Sequence, residues 1–250
     1  MSSSCLEEFL MQMNRSQAVM WLFFSCTIAM LLILRLQKIE LVIVRTRDPN
    51  LEIHVVFPIF KNFRNTEFEQ ELNTRIQDYI KSVVNEARME ASQNVKYFEN
   101  AHFELEIKTE VHEPFRNVYS VVLYVYKFTG GAHGTNDLRT FTTDLNDERL
   151  LTICDFFELG REELENRLRS LILNRISDCK ERYFPWAKDY VKEDLIFARP
   201  FVVTERGIGV FYEEGEIAPR GHGITCLDFT WDELNGCNVA RKKSIASGGE

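Results

Sequence analysis

A chain of 250 residues, 45% apolar and 27% charged, has material for one good core or two small lobes. Its formal charge of −8, with no basic stripe in the folded part, removes the attraction on which nucleic-acid binding depends, and nucleic acid is excluded as a partner. The acidic balance is compatible with a basic protein or cationic ligand, although moderate negative charge also serves simply for solubility.

Residues 1–17 read as a short N-terminal tail. From Ala18 to Leu34 the run AVMWLFFSCTIAMLLIL carries no charge and no proline. As a helix it would extend about 26 Å, near the lower limit for crossing a bilayer. Residues 18–36 are therefore expected to be a single transmembrane helix that tethers the chain to a membrane. No small-x-small cleavage site follows the run, so an uncleaved anchor fits better than a removed signal peptide. Arg35, Lys38, Arg45 and Arg47 in the following flank favour a cytoplasmic C-terminal side, whereas long domains translocate largely regardless of such charges. The residues alone leave the orientation open.

After the juxtamembrane stretch 37–50, in which Glu40 to Thr46 reads as a strand, Leu51 to Phe60 is a second Val/Ile-rich run beyond the turn cluster Asp48-Pro49-Asn50. Thr66-x-x-Glu69 forms a capping-box pattern ahead of Phe68, Leu72, Ile76, Tyr79, Val83 and Ala87, the stripe of an amphipathic helix. Phe103, Leu105, Ile107, Thr109 and Val111 alternate with polar residues, as in a strand with one wet face. The next run, Val118 to Phe128, is apolar or aromatic almost throughout and reads as a central strand buried on both sides. Shorter strands are expected at Phe141 to Leu145 and Leu150 to Ile153. A second helix carries Leu164, Leu168, Leu171, Ile172, Ile176 and Cys179 on one face, and a short third falls between Trp186 and Leu195. Phe201 to Thr204 and Ile208 to Tyr212 form a hairpin, Ile224 to Phe229 a last strand, and residues 239–250 a solvated tail. The expected class is α+β: a two-lobed domain of mixed or antiparallel sheets packed with two long helices, with lobes at 51–145 and 146–238.

Six cysteines are present, none in a C-x-x-C pair, so zinc-ribbon and thioredoxin-like chemistry lack their spacing. Cys5 and Cys26 lie in or before the anchor. Among Cys154, Cys179, Cys226 and Cys237, the pair Cys226 and Cys237 is the first to test for a disulfide, against the equal alternative of ordinary thiols.

Two glycine-rich segments are the candidate ligand-binding loops. Thr129-Gly130-Gly131-Ala132-His133-Gly134 leaves the central strand, and Glu216-Ile217-Ala218-Pro219-Arg220-Gly221-His222-Gly223 enters the last one. Glycine at such junctions allows positive φ or close backbone approach. Gly130, Gly131, His133, Gly134, Glu216, Pro219, Gly221, His222 and Gly223 are thus the candidate contacts, with plain tight turns as the bland alternative. His133 and His222 could meet as a metal or acid–base pair, but two ligands make no site. Glu216 and Asp137 are carboxylates near only in sequence, so neither a metal nor a cofactor is expected. The G-x-S-x-G, Walker A and complete G-x-G-x-x-G patterns are all absent, and no catalytic residue is assigned.

Four motifs taken in order carry a resemblance: Tyr126-Lys127-Phe128-Thr129-Gly130-Gly131-Ala132-His133-Gly134; Phe141-Thr142-Thr143-Asp144-Leu145 with Leu151-Thr152-Ile153-Cys154-Asp155-Phe156-Phe157; Gly207-Ile208-Gly209-Val210-Phe211-Tyr212; and Glu216-Ile217-Ala218-Pro219. From about Leu51 to Leu234 the chain resembles the extracytoplasmic domain of RsiV-type anti-sigma factors, a module also found ahead of the catalytic domain in some peptidoglycan deacetylases. The resemblance implies a two-part, non-enzymatic α/β module outside the cytoplasm, which in RsiV binds lysozyme and triggers cleavage of the anchor. It also implies an N-in, C-out topology here. The 17 residues ahead of the apolar run are too few for a sigma-caging domain, and a deacetylase domain is missing, so only the binding or sensing role is expected to carry over. The expected partners are a lysozyme-like protein or peptidoglycan at the cell envelope. Two further readings stand beside it: a wall-glycan hydrolase or deacetylase using His133 and His222, and a structural envelope protein. The last predicts an exposed apolar patch beside the anchor.

Overall fold

The computed structural model describes residues 38–98 and 102–234. The expected anchor at 18–36, the tails at 1–17 and 239–250, and Cys5, Cys26 and Cys237 lie outside the described residues. No helix among those described is long and apolar enough to cross a membrane.

The architecture is α+β, in four layers. A six-stranded sheet runs in the order β1-β2-β3-β4-β5-β6, with β1 Ile39–Arg47, β2 Leu51–Phe60, β3 Phe103–Phe115, β4 Val118–Phe128, β5 Thr135–Asp144 and β6 Arg149–Leu150. Only β2 and β3 pair in parallel, and helix α1, Thr66–Asn94, makes the crossover between them. A second sheet of β7 Phe201–Thr204, β8 Gly207–Tyr212 and β9 Thr225–Thr230 is antiparallel throughout. It carries helices α2, Arg161–Asp178, and α3, Ala187–Glu193, and the one-turn helix α4, Trp231–Leu234, follows β9.

Helix α1 covers one face of the large sheet with Phe68, Leu72, Ile76, Ile80, Val83, Ala87 and Ala91. From Leu72 onward they pack on Leu51, Ile53, Val55, Phe103, Leu105, Ile107, Val121, Leu123 and Val125, while Phe68 stacks on Phe63. A fully buried Leu or Ile in such a layer is worth about 2 kcal/mol. Ile80, not Tyr79, is the buried member of the stripe, so the three-residue step that a 3.6-residue period requires falls one turn later than expected, between Ile80 and Val83. The cap also differs from expectation. Asn65 is the N-cap, its side-chain oxygen accepting from the backbone N–H of Glu67 (3.0 Å) and Phe68 (3.1 Å), while Glu69 reaches back to the N–H of Phe63 at 2.9 Å.

The other face of the large sheet meets the small one. Side chains alternate across each strand, so Val202, Phe211 and Cys226 look toward Val122, Tyr124 and Leu138. Val203, Ile208, Val210, Tyr212, Leu227 and Phe229 look the opposite way, toward Leu164, Leu168, Ile172 and Ile176 of α2. This sandwiching explains the unbroken apolar run in β4, where Ser120 to Leu123 are buried on both faces; Tyr126 to Phe128 are only half-buried.

Three expectations need correction. β5 begins at Thr135, six residues before the expected Phe141, because its first half is an exposed edge without apolar alternation. The strand expected at Leu150 to Ile153 is two residues long, and Ile153–Phe156 turns into a 3-10 helix with the Asp155 carboxylate accepting from the Thr152 N–H at 2.7 Å. Cys179 is exposed at the C-cap of α2 and does not join its buried face. The stretch 37–50 supplies β1, hydrogen-bonded along its length to β2.

Candidate functional site

The first glycine segment is the connection between β4 and β5. Its root is fastened to the last turns of α1: Asn94 Nδ2 donates to the Thr129 carbonyl at 2.7 Å, Thr129 Oγ1 donates to Glu90 at 2.8 Å, and Lys127 Nζ lies 2.6 Å from Glu86 and 2.8 Å from Glu90. Burial pushes the Glu90 carboxyl up, but hydrogen bonds from Lys127 and Thr129 outweigh it and hold the group below its ordinary range. Gly130 and Gly131 have φ of 121° and 98°, a region that excludes most side chains. A Cβ on Gly130 would also sit 2.7 Å from the Phe98 ring, and one on Gly134 2.4 Å from that of Tyr126. His133 is exposed, with Nδ1 3.0 Å from the Gly134 carbonyl.

The second segment links β8 to β9. Glu216 is turned inward. Its Oε2 accepts the Glu213 N–H at 2.7 Å, and Oε1 accepts from Arg199 Nη1 at 2.6 Å and from the Tyr190 hydroxyl. Arg199 also grips Asp194 and lies over the Tyr212 ring, 4.5 Å from its centroid. Burial alone would lower the Arg199 pKa, but Asp194 and Glu216 raise it further above its already high ordinary value. Pro219, Gly221 and His222 are exposed on a 3-10 turn, with the His222 N–H donating to the Pro219 carbonyl at 2.9 Å, and Gly223 closes the turn at φ 66°.

The two segments share one rim. The backbone N–H and the Nδ2 of Asn136, two residues beyond Gly134, both donate to Glu214 Oε2, at 2.9 and 3.0 Å. Around this junction Asp137, Glu213 and Glu214 form no ion pair among the described residues, so the rim is acidic. A cleft of about 450 Å³ opens beside it, lined by Tyr79, Asp137, Arg139, Asp194, Arg199 and Glu213. Burial, then the Asp137 charge, pushes the Tyr79 phenol up to about 12, and its buried hydroxyl has no hydrogen-bond partner among the described residues.

His133 and His222 are each exposed and bonded within their own turns, and among the described residues no carboxylate bonds to the His133 ring. Among the described residues no group of three or more His, Cys, Asp or Glu is arranged to hold a metal. Cys154, Cys179 and Cys226 are free thiols.

Sequence reasoning missed two features. The Tyr190–Asp194–Arg199–Glu216 network has no fixed spacing by which to find it. A larger cleft, about 650 Å³, lies between His112 and Glu113 at the end of β3 and Arg206, Asp228 and Thr230 of the small sheet. Its one trace in the sequence is His112-Glu113-Pro114, which breaks the alternation of β3 where the β3–β4 register shifts. None of the nine candidate residues lines either cleft.

Residues 44–136, from β1 to the start of β5, match the protein-family model described as Deacetylase PdaC. No curated protein matches the chain in sequence. A DUF3298 family protein from Pseudomonas aeruginosa is similar in structure, with a TM-score of 0.56 and 16% identity over 79% of this chain and 92% of that one. A member of the same family from Bacteroides fragilis gives a TM-score of 0.52 and 17% identity over 80% of this chain and 92% of that one. At such identities the likeness is one of fold.

Proposed function

We propose that the chain is a membrane-anchored, extracytoplasmic binding or sensor domain, without catalytic activity of its own, whose ligand is a cationic wall-active protein of the lysozyme type or a cell-wall component. The observation that carries this reading is the double hydrogen bond from Asn136 to Glu214, which holds the two glycine segments on one acidic rim. Loops fixed to a rigid scaffold, here to α1 through Asn94 and to the Arg199 network through Glu216, are the usual carriers of recognition. Unneutralised carboxylates on such a rim speed encounter with a basic partner. The resemblance of the four ordered motifs to the RsiV module supports the same class of partner, and the apolar run at 18–34 supports the anchor. The name of the matching family model concerns a deacetylase, and it is the fold of that segment, with its loops, that this reading carries over.

The test is binding of the full chain to hen-type lysozyme and to solubilised peptidoglycan at low and moderate salt, with Glu213→Gln and His133→Ala as variants. Saturable binding that weakens with salt and with Glu213→Gln is expected. Absence of binding to both at either salt, or release of acetate from acetylated glycan by the chain, would overturn the reading.

A further inference from the structure

The two edges of the large sheet are treated differently. At the β5 edge the outward-pointing N–H groups belong to even-numbered residues, since Leu145 N–H bonds inward to the Asn117 carbonyl of the β4 side and the register alternates from there. Two of them are capped by carboxylates, Asn136 by Glu214 and Leu138 by the Asp137 side chain at 2.6 Å, and the Thr142 carbonyl is taken by the Leu151 N–H. This is how a sheet prevents unwanted pairing.

The β1 edge carries no such protection among the described residues. Lys61 N–H donates to the Lys38 carbonyl and Asp48 N–H to that of Leu51, so the even-numbered residues of β1 bond to β2. The N–H and carbonyl groups of Ile39, Leu41, Ile43, Arg45 and Arg47 therefore point away from the sheet. The strand is nine residues long, without proline or bulge. Its Leu41, Ile43 and Val44 side chains are 50%, 62% and 41% exposed. Such an edge is a template for another strand.

We propose that β1 pairs antiparallel with β1 of a second copy of this chain, about a two-fold axis through Ile43, joining two six-stranded sheets into one. The occupant follows from self-complementarity. Antiparallel pairing of outward groups requires odd residues to face odd residues, and centring on Ile43 is the one register that pairs all nine residues of Ile39–Arg47 with none overhanging. It places Val42 against Val44, Leu41 against Arg45, Glu40 against Thr46 and Ile39 against Arg47. No like charges stand directly opposite, and the exposed aliphatics cover one another or an Arg stem. A slip that centres on Arg45 would set Arg45 against Arg45 and lose four of the nine pairs. The result is an isologous contact, the commonest form of closed dimer.

The experiment measures the mass of the full chain in mild detergent by sedimentation equilibrium over about a hundredfold range of concentration. A dimer that dissociates on dilution is expected. Ile43→Pro removes only an outward N–H and leaves the bonds to β2 in place, so it should give a monomer with an unchanged circular dichroism spectrum. Ile43→Lys sets two ammonium groups on the axis without touching the backbone, and should give the same result should the proline variant fail to fold. A wild-type chain that is monomeric throughout would overturn the proposal. So would a dimer that survives both substitutions, which would place the contact elsewhere, such as in the apolar segment at 18–34.

Discussion

Arg199 holds Asp194 in a two-point grip, Nε to Oδ2 at 2.8 Å and Nη2 to Oδ1 at 2.9 Å, with both side chains about nine-tenths covered. The remaining Nη1 reaches Glu216, so one guanidinium ties the end of α3 to the loop before β9. Arg199→Ala leaves two carboxylates without their cation in a largely covered site, and a loss of about 3–5 kcal/mol in urea unfolding is expected. Arg199→Lys keeps the charge without the fork, and should recover only part of it. Equal stability of the alanine variant and the wild type would show the network to be dispensable.

Ser120 joins the two sheets through a single hydroxyl. Its Oγ accepts the Val203 N–H at 3.1 Å and lies 2.9 Å from Thr142 Oγ1, all in the dry layer between β4 and β7. Ser120→Ala strands a buried backbone N–H, so about 1–3 kcal/mol should be lost. Thr142→Val removes only the hydroxyl pair and should cost less. Urea titrations of the two variants, with the slope unchanged, give the comparison.

The elements read correctly from sequence are those whose burial imposes a period. The Phe68, Leu72, Ile76 stripe and the Phe103, Leu105, Ile107 alternation each face a core layer, and each is visible as spacing. The first half of β5 was not legible because an edge strand at Thr135, Asn136 and Asp137 needs only backbone pairing, which any residue supplies. The Thr66-x-x-Glu69 pattern places the N-cap one residue too late, because Asn65 and Thr66 are both good caps and only geometry distinguishes them. At the site, glycine marked the loops, since φ of 121° at Gly130 and 66° at Gly223 restricts residue type. Glu216 was singled out for ligand contact yet is turned inward by Tyr190 and Arg199, the first 26 residues away in the chain. A contact made across that distance by tertiary folding leaves no local pattern.

The three described thiols should differ in reactivity. Cys226 is pressed between the sheets, and burial, reinforced by the Asp228 carboxylate that its Sγ meets at 3.2 Å, pushes its pKa well above the ordinary thiol value. Burial also raises that of Cys154. Since the thiolate is the nucleophile, alkylation at pH 8 followed by peptide mapping should label the exposed Cys179 first, then Cys154, and Cys226 last. The raised Cys226 value also has a stability consequence. The folded state holds that proton more tightly than the unfolded chain, so the contribution is complete below the unfolded value, about 8.5, and is lost as pH rises above it. Cys226→Ala should flatten the alkaline fall in stability, and a fall that is unchanged would assign it to another group.

Gly207 and Gly221 look alike in sequence but should respond in opposite ways to alanine. Gly207 opens β8 opposite Thr230, and a Cβ there would lie 1.9 Å from the Phe229 carbonyl oxygen and 2.8 Å from the Thr230 Cα. Both are backbone atoms of the paired strand, so relief requires opening the β8–β9 ladder. Gly207→Ala should cost about 3 kcal/mol or more, lowering the melting temperature by roughly 6–12 °C for a domain of this size. Gly221 sits on the exposed turn without a positive φ, and a methyl group there would meet nothing within 4 Å beyond its own chain neighbours. Its alanine variant should therefore stay within about 0.5 kcal/mol of the parent. Because that variant keeps the fold, a change in lysozyme or peptidoglycan binding on Gly221→Ala would report contact at the turn itself, whereas the same change on Gly207→Ala would report only lost structure.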